Sequence, residues 1–186
     1  MAFRRNRAGN KIKAARGGSG DERPLNEESP RERVMTAALR MLSSRSYSEG
    51  QLRERLLTKH SAEAGTVDEC ITRLKEMGYV NDDTFAHSYA SSRVRTKPVG
   101  RSRLARELAT KKVSRERIDE ALNTLFAEVP EETLIEQAID RRLRTHGSPR
   151  DRAASKRMFE HLARLGFEYD LIIRKMRTLS GFEDNS

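Results

Sequence analysis

Three stretches of the chain share one pattern: QLRERLL at 51–57, RLARELA at 103–109 and RMFEHLA at 157–163. When they are aligned, Leu52 and Leu56 fall on Leu104 and Leu108, and then on Met158 and Leu162, at offsets of 52 and 54 residues. Apolar residues four apart lie on one edge of a helix, and the intervening residues are mostly charged. Each stretch therefore predicts a short amphipathic helix, and its recurrence about every 50 residues predicts a repeat protein.

The similarity extends beyond this helix in both directions. Downstream, Val67, Ile71 and Leu74 match Ile118, Leu122 and Leu125, and Ile172 and Met176 take the first two of these places in a third copy. Further along, VNDDTFAHSYA at 80–90 aligns with VPEETLIEQAI at 129–139. Each unit is therefore expected to consist of three short helices.

The predicted fold is all-α: three tandem three-helix repeats in an elongated, curved array, because such small units must bury each other's apolar edges. Apolar periodicity and start signals predict helices over 31–45, 48–59, 66–77, 82–96, 99–111, 114–126, 131–145, 149–165 and 168–179. The units are assigned to 31–80, 81–129 and 130–180, with an arm over 1–30 and a tail over 181–186.

Helix starts and stops support these assignments. Ser48 with Gln51 forms a capping-box pattern, and Ser148 followed by Pro149 predicts a helix that begins at the proline. Gly78 and Gly166 are placed to end helices in the left-handed conformation.

The stretch GYVNDDTFAHSY at 78–89 could be read as a metal or acid/base site, since His87 follows Asp82 and Asp83 by one helical turn. The internal alignment favours another interpretation. The two acids fall on Glu131 and Glu132, whereas the histidine falls on a glutamate. Acids in a first turn stabilise a helix by about 0.3–1 kcal/mol each. The pair is therefore predicted to start a helix.

Composition suits thin helical layers. Of the 186 residues 35% are hydrophobic and 35% charged, and there is no Trp. The single cysteine, Cys70, excludes an intramolecular disulfide and is predicted to be a small buried apolar residue, as expected of a cytoplasmic protein. No stretch approaches the roughly 18 consecutive apolar residues that a membrane span needs.

Residues 1–30 lack apolar periodicity and contain GGSG at 17–20, which predicts a disordered arm and linker. Seven Lys or Arg against two acids give residues 1–23 a charge of +5. The arm could be a solubilising tail, a specific DNA-binding arm or an Arg-rich transit peptide. It lacks the apolar run of a secretory signal.

Positive charge concentrates in the middle unit. The chain carries a net charge of +9, and residues 93–117 contain ten Lys or Arg and two acids. This predicts a binding surface for nucleic acid or a nucleoprotein, although a merely solvated helix face is the alternative. The candidate residues are Arg93, Arg95, Lys97, Arg101, Arg103, Arg106, Lys111 and Lys112, with Arg141, Arg142 and Arg144 secondary. Aromatic residues do not interleave with this stretch, which argues against single-strand recognition by base stacking.

Patterns typical of enzymes are missing from the sequence. The four histidines are dispersed, GGSG lacks the GK[ST] of a phosphate loop, and no serine lies in a nucleophile elbow. We therefore expect no catalytic centre, no cofactor and no metal.

Three segments together resemble the RecX family: RSYSEGQLRERL, VDECITRLKEMGYVNDDTFAHSYASSR and RSRLARELATKKVSRERIDEAL. The resemblance covers roughly residues 33–178. Two departures are Lys112, where the family usually has glycine, and RTKPVGRS in place of a Gly-rich basic loop. The third unit, which retains KRMFEHLARLGFEYDLI, is the most divergent.

The resemblance implies tandem three-helix repeats without a catalytic centre. It also implies a protein that binds the RecA recombinase, chiefly its filament on DNA, and modulates it, usually by inhibition. We expect the chain to be a monomer. Contact with DNA itself would be weak and salt-sensitive. The alternative hypothesis is a helical DNA-binding module that acts independently of RecA.

Overall fold

A computed structural model describes residues 28–181, and all regular structure in this range is helical. The helices are α1 Pro30–Ser44, α2 Glu49–Lys59, α3 Ala64–Glu76, α4 Asp82–Thr96, α5 Arg101–Thr110, α6 Arg115–Glu128, α7 Glu131–His146, α8 Arg152–Arg164 and α9 Tyr169–Gly181. This confirms the all-α prediction, and each predicted bound lies within three residues of the observed one. The predictions for most of the arm and most of the tail fall outside the described residues.

The helices pack mainly in triplets, α1–α3, α4–α6 and α7–α9. The aligned leucines of the second helices, Leu52, Leu56, Leu104, Leu108 and Leu162, are fully buried, and Met158 is nearly so. We propose that the units divide between Val80 and Asn81 and between Val129 and Pro130, since no helix crosses either point.

The start of α1 lies earlier than the sequence analysis placed it. Ser29 caps the helix, and Ser29 and Glu32 form a reciprocal capping box in which the Ser29 N–H donates to the carboxylate at 2.7 Å. Ser29 and Pro30 therefore belong to the first unit rather than to the arm. The S-x-x-E pattern of SPRE was the signal for this.

The predicted start of α8 at Pro149 is wrong. Asp151 caps this helix by accepting a hydrogen bond from the Ala154 N–H at 2.6 Å. Gly147, at φ +72°, ends α7, and residues 148–150 form the turn between the two helices. Asp is as good an N-cap as Ser, and here the aspartate is the residue whose oxygen reaches the free N–H. At α2, Ser48 accepts from the Gln51 N–H at 3.2 Å, as predicted.

Within residues 28–181, the buried hydrophobic side chains form two clusters. The second and third triplets share one core, which extends from Ala86 to Ile172, so these units do bury each other's apolar edges. The first triplet has a separate core, which includes Cys70 as predicted. Its junction with the second triplet is therefore made in another way.

Hydrogen bonds join the first triplet to the second at the N-terminus of α2. The Ser48 hydroxyl donates to the Lys111 carbonyl at the end of α5. The Glu49 N–H donates to Oδ1 of Asp82, the first residue of α4, at 2.7 Å. A Cβ on Gly50 would lie 2.5 Å from Cβ of Lys112, so only glycine allows this close approach.

The junction between the second and third triplets repeats this arrangement one unit further on. The Gly100 N–H donates to the Leu165 carbonyl at 2.9 Å, and the Ser102 N–H to the Gly166 carbonyl at 3.1 Å. The Arg101 N–H donates to Oε1 of Glu131, the first residue of α7, at 2.9 Å. In both junctions, the N-terminus of the second helix of one unit contacts the C-terminal carbonyl groups of the second helix of the next unit.

This arrangement satisfies helix-end groups that would otherwise lack partners. The partly positive N-terminus of α2 meets the partly negative C-terminus of α5, and α5 meets α8 likewise. Residues with positive φ turn the chain away at these ends: Lys112 at +62° and Gly166 at +89°. The predicted stop at Gly78 is also confirmed, at φ +76°.

Candidate nucleoprotein-binding surface

Asp82, Asp83 and His87 do not form a shared site. Asp82 accepts from the Glu49 N–H, and burial raises the pKa of its carboxyl. Asp83 instead forms an ion pair with Arg117, at 2.7 Å. No cluster of three potential metal ligands occurs within residues 28–181. The prediction that the acids start α4 is confirmed, and their further role in the unit junction was missed.

Glu107 organises the middle of the basic stretch. Arg93 donates from Nε and Nη2 to the two carboxylate oxygens at 2.8 and 2.9 Å. Nε of Arg103 donates at 3.0 Å and the Tyr89 hydroxyl at 2.9 Å. The Arg93 hydrogen bonds are the largest influence that lowers the pKa of Glu107, to about 2. Arg93 and Arg103 therefore serve the junction of α4 with α5.

Sequence reasoning counted Glu107 only as one of two acids in the basic stretch. The signal available was helical spacing, since Arg103 and Glu107 stand four apart on α5 and Tyr89 and Arg93 four apart on α4. The contact between the two helices could not be derived from spacing alone.

Three more candidates have partners within the fold. Arg101 donates to the Asn123 side chain at 2.7 Å, and its guanidinium lies 5.9 Å from the centre of the Phe126 ring. Lys112 forms an ion pair with Glu54 of the first triplet at 3.2 Å. The Lys111 ammonium lies 4.6 Å from the centre of the Tyr89 ring.

Arg95, Lys97 and Arg106 differ from these residues. All three are exposed, and none has an ion pair or side-chain hydrogen bond in the described part of the chain. Arg95 lies in the last turn of α4, Lys97 caps that helix, and Arg106 lies on α5. Their charges are therefore available to an external anion.

The third triplet adds a second group of cations near the end of α7. Arg141 and Arg144 are exposed, whereas Arg142 is half-buried. Arg142, His146 and Arg157 line a cavity of about 140 Å³. Burial, and then the charge of Arg142, lower the pKa of His161. This group presents positive charge without a neighbouring carboxylate in the cavity lining, and such a site favours an anion.

Comparison with known proteins identifies the family. Residues 35–74 match the first three-helix domain of RecX, and residues 81–122 match the second. The Regulatory protein RecX of Streptomyces coelicolor is 34% identical over 165 residues, which cover 87% of this chain and 86% of that protein. The chain belongs to the RecX family.

A further relative agrees with the assignment to RecX, and a solved structure agrees in fold. The Regulatory protein RecX of Pelodictyon phaeoclathratiforme is 32% identical over 147 residues, covering 78% of this chain and 88% of that protein. The crystal structure of RecX from Lactobacillus salivarius has the same fold, with a TM-score of 0.72 at 19% identity, over 81% of this chain and 97% of that one. Within the part of this RecX chain that the structure describes, no helix is both long and apolar enough to span a membrane.

Proposed function

We propose that this chain is a non-enzymatic modulator, of the inhibitory kind, of the RecA recombinase. It binds the RecA–DNA filament as a monomer in the cytoplasm. Family membership supports a regulatory role. The observation that supports this binding mode is a set of exposed cations, Arg95, Lys97 and Arg106, for which residues 28–181 provide no ion pair or side-chain hydrogen bond. A second exposed set, Arg141 and Arg144, lies in the third triplet.

The sequence candidates differ in whether a carboxylate of the fold already pairs with them. Arg93 and Arg103 neutralise Glu107, and Lys112 neutralises Glu54. A phosphate that recruited these side chains would have to break existing ion pairs. Arg95, Lys97, Arg106, Arg141 and Arg144 carry no such cost, so they are the residues through which we propose docking on the filament.

The test is RecA-catalysed, DNA-dependent ATP hydrolysis in the presence of this protein. Wild type is expected to inhibit at stoichiometric amounts, and the triple variant Arg95→Glu, Lys97→Glu, Arg106→Glu is expected to lose most of that inhibition. A matched triple variant reverses exposed cations of the first triplet: Arg40→Glu, Lys59→Glu and Arg73→Glu. This variant changes the net charge by the same amount but leaves the proposed docking residues intact. Its inhibition should therefore stay near wild type.

An unchanged rate of hydrolysis with excess wild-type protein would reject the proposal. Equal loss of inhibition in both triple variants would show that net charge, rather than this surface, governs binding.

The second candidate function is DNA binding without RecA, which the same exposed cations would permit. It requires high affinity for bare duplex at physiological salt, with sequence preference. Non-specific binding that falls steeply with salt, by roughly 0.9 log units per log unit of salt for each phosphate contact, favours the RecA modulator instead.

A further inference from the structure

An open groove of about 830 Å³ runs between the first and second triplets. Leu39 and Leu42 of α1 line one side, and Phe85 and Tyr89 of α4 line the other. Tyr79, from the loop between α3 and α4, borders it. Leu39 is 38% exposed and Tyr79 58% exposed, so large apolar side chains face solvent here. The groove lies where the two hydrophobic cores remain separate.

The charge of the groove is one-sided. Its lining contains Arg45 and Lys111 and no carboxylate. The nearest acid to Tyr89 is Glu107, which accepts from the Tyr89 hydroxyl and is neutralised by Arg93 and Arg103. Neither Arg45 nor Lys111 has an ion-pair partner within residues 28–181. Each instead lies over an aromatic ring, Arg45 at 4.3 Å from the centre of Tyr47 and Lys111 at 4.6 Å from that of Tyr89.

We propose that this groove binds an acidic protein segment that carries large apolar side chains. The apolar side chains pack between Leu39 and Phe85, and the carboxylates pair with Arg45 and Lys111. This inference is independent of the proposed filament docking, which uses other residues.

A protein segment fits the groove better than a nucleic-acid strand. Base stacking requires open aromatic faces. Here cations cover a face of Tyr47 and a face of Tyr89, and the Phe85 ring is stacked with Tyr89, with centroids 6.3 Å apart. Of the four rings that line the groove, only that of Tyr79 has no such contact within the described part of the chain, and a single open ring does not form a stacking platform. The opposite side, formed by Leu39 and Leu42, is aliphatic. Apolar side chains can pack on such a surface, and a helix or extended segment places them at regular intervals.

The test measures binding of a short fluorescein-labelled peptide, in which Glu alternates with Leu and Phe, to the full chain by fluorescence anisotropy. One control peptide replaces Glu by Lys, and another replaces Leu and Phe by Ser. The groove variants are Leu39→Ser, Tyr79→Ser and Arg45→Glu, which replace side chains that line the groove. Circular dichroism checks that each variant keeps its helical content. Lys59→Glu is the charge control, because Lys59 is exposed and does not line the groove.

The expected result is that Leu39→Ser and Arg45→Glu each weaken binding of the Glu/Leu/Phe peptide about tenfold or more, a change of about 1.4 kcal/mol. Lys59→Glu should leave it unchanged, and both control peptides should bind weakly. Equal binding of the Glu/Ser peptide, equal loss with Lys59→Glu, or no binding at all would overturn the inference. Tighter binding of a labelled oligothymidylate than of the peptide would also overturn the inference if the groove variants abolished it, because the groove would then be a nucleic-acid site.

Discussion

The ion-pair network around Glu107 predicts a specific pH dependence of stability. The perturbation is Glu107→Gln, which keeps one acceptor oxygen but removes the charge that Arg93 and Arg103 neutralise. A carboxyl whose pKa falls from 4.5 to about 2 on folding stabilises the folded state above pH 4.5. At about 1.4 kcal/mol per pH unit, the shift corresponds to at most about 3–4 kcal/mol. The side chain of Glu107 is 22% exposed, so solvent reduces this, and we expect a loss of about 2 kcal/mol at pH 7.

The assay is urea unfolding followed by helical circular dichroism, with the free energy of unfolding extrapolated to water at several pH values. Between pH 4.5 and 2 the unfolded carboxyl binds a proton and the folded one does not, so wild type loses stability as pH falls. From pH 4 to pH 3 the advantage of wild type over Glu107→Gln should shrink by about 1 kcal/mol.

A matched control is Glu160→Gln. Glu160 is on the surface of α8 and lies 4.0 Å from Lys156, a contact worth well under about 1 kcal/mol. If wild type and Glu107→Gln differed by the same amount at pH 7, 4 and 3, or did not differ at all, the assignment of Glu107 as the charged centre of this contact would be refuted.

Three further predictions concern the unit junctions, and each is measured as the free energy of unfolding in urea. Asp82→Ala should lower this free energy by about 0.5–2 kcal/mol, because the Glu49 N–H loses its acceptor. Asp82→Asn, whose amide oxygen can still accept, should lower it less, and equal losses would contradict this role. Gly100→Ala should lower the free energy of unfolding by about 1–3 kcal/mol, because its Cβ would lie 2.3 Å from the Gly166 carbonyl oxygen. The control Gly65→Ala, whose Cβ meets nothing within 4 Å, should be neutral or stabilising. Lys112→Gly should stabilise the fold by about 0.5–1 kcal/mol, since φ at this residue is +62°. Lys112→Ala should not stabilise it, because this variant loses the ion pair to Glu54 without relieving the backbone strain.

The spacing of apolar residues in the sequence was sufficient to predict the helices and their buried edges, because this spacing shows which side of a helix faces inward. It predicted the burial of Leu52, Leu104 and Leu162 and the alignment of Asp82 with Glu131. It missed the contact of Asp82 across the unit junction, since spacing along one helix does not reveal an N–H donor 33 residues away. The same limit applies to the candidate surface. Arg93 and Arg106 look equivalent in sequence, but Arg93 faces Glu107 across a helix pair and Arg106 faces solvent.

The two junctions also predict that the units depend on one another unequally. Gly100 gives α5 no side-chain cap, so the first N–H groups of that helix rely on the Leu165 and Gly166 carbonyls and on Glu131. At α2, the Ser48 side chain caps its own helix and also donates across the junction. At α8, Asp151 caps the helix within its own unit. Dependence on the following unit is therefore strongest for the second unit, which also shares a core with the third. The second and third units should therefore unfold together, whereas the first unit has its own core and is joined to the second by hydrogen bonds at the N-terminus of α2.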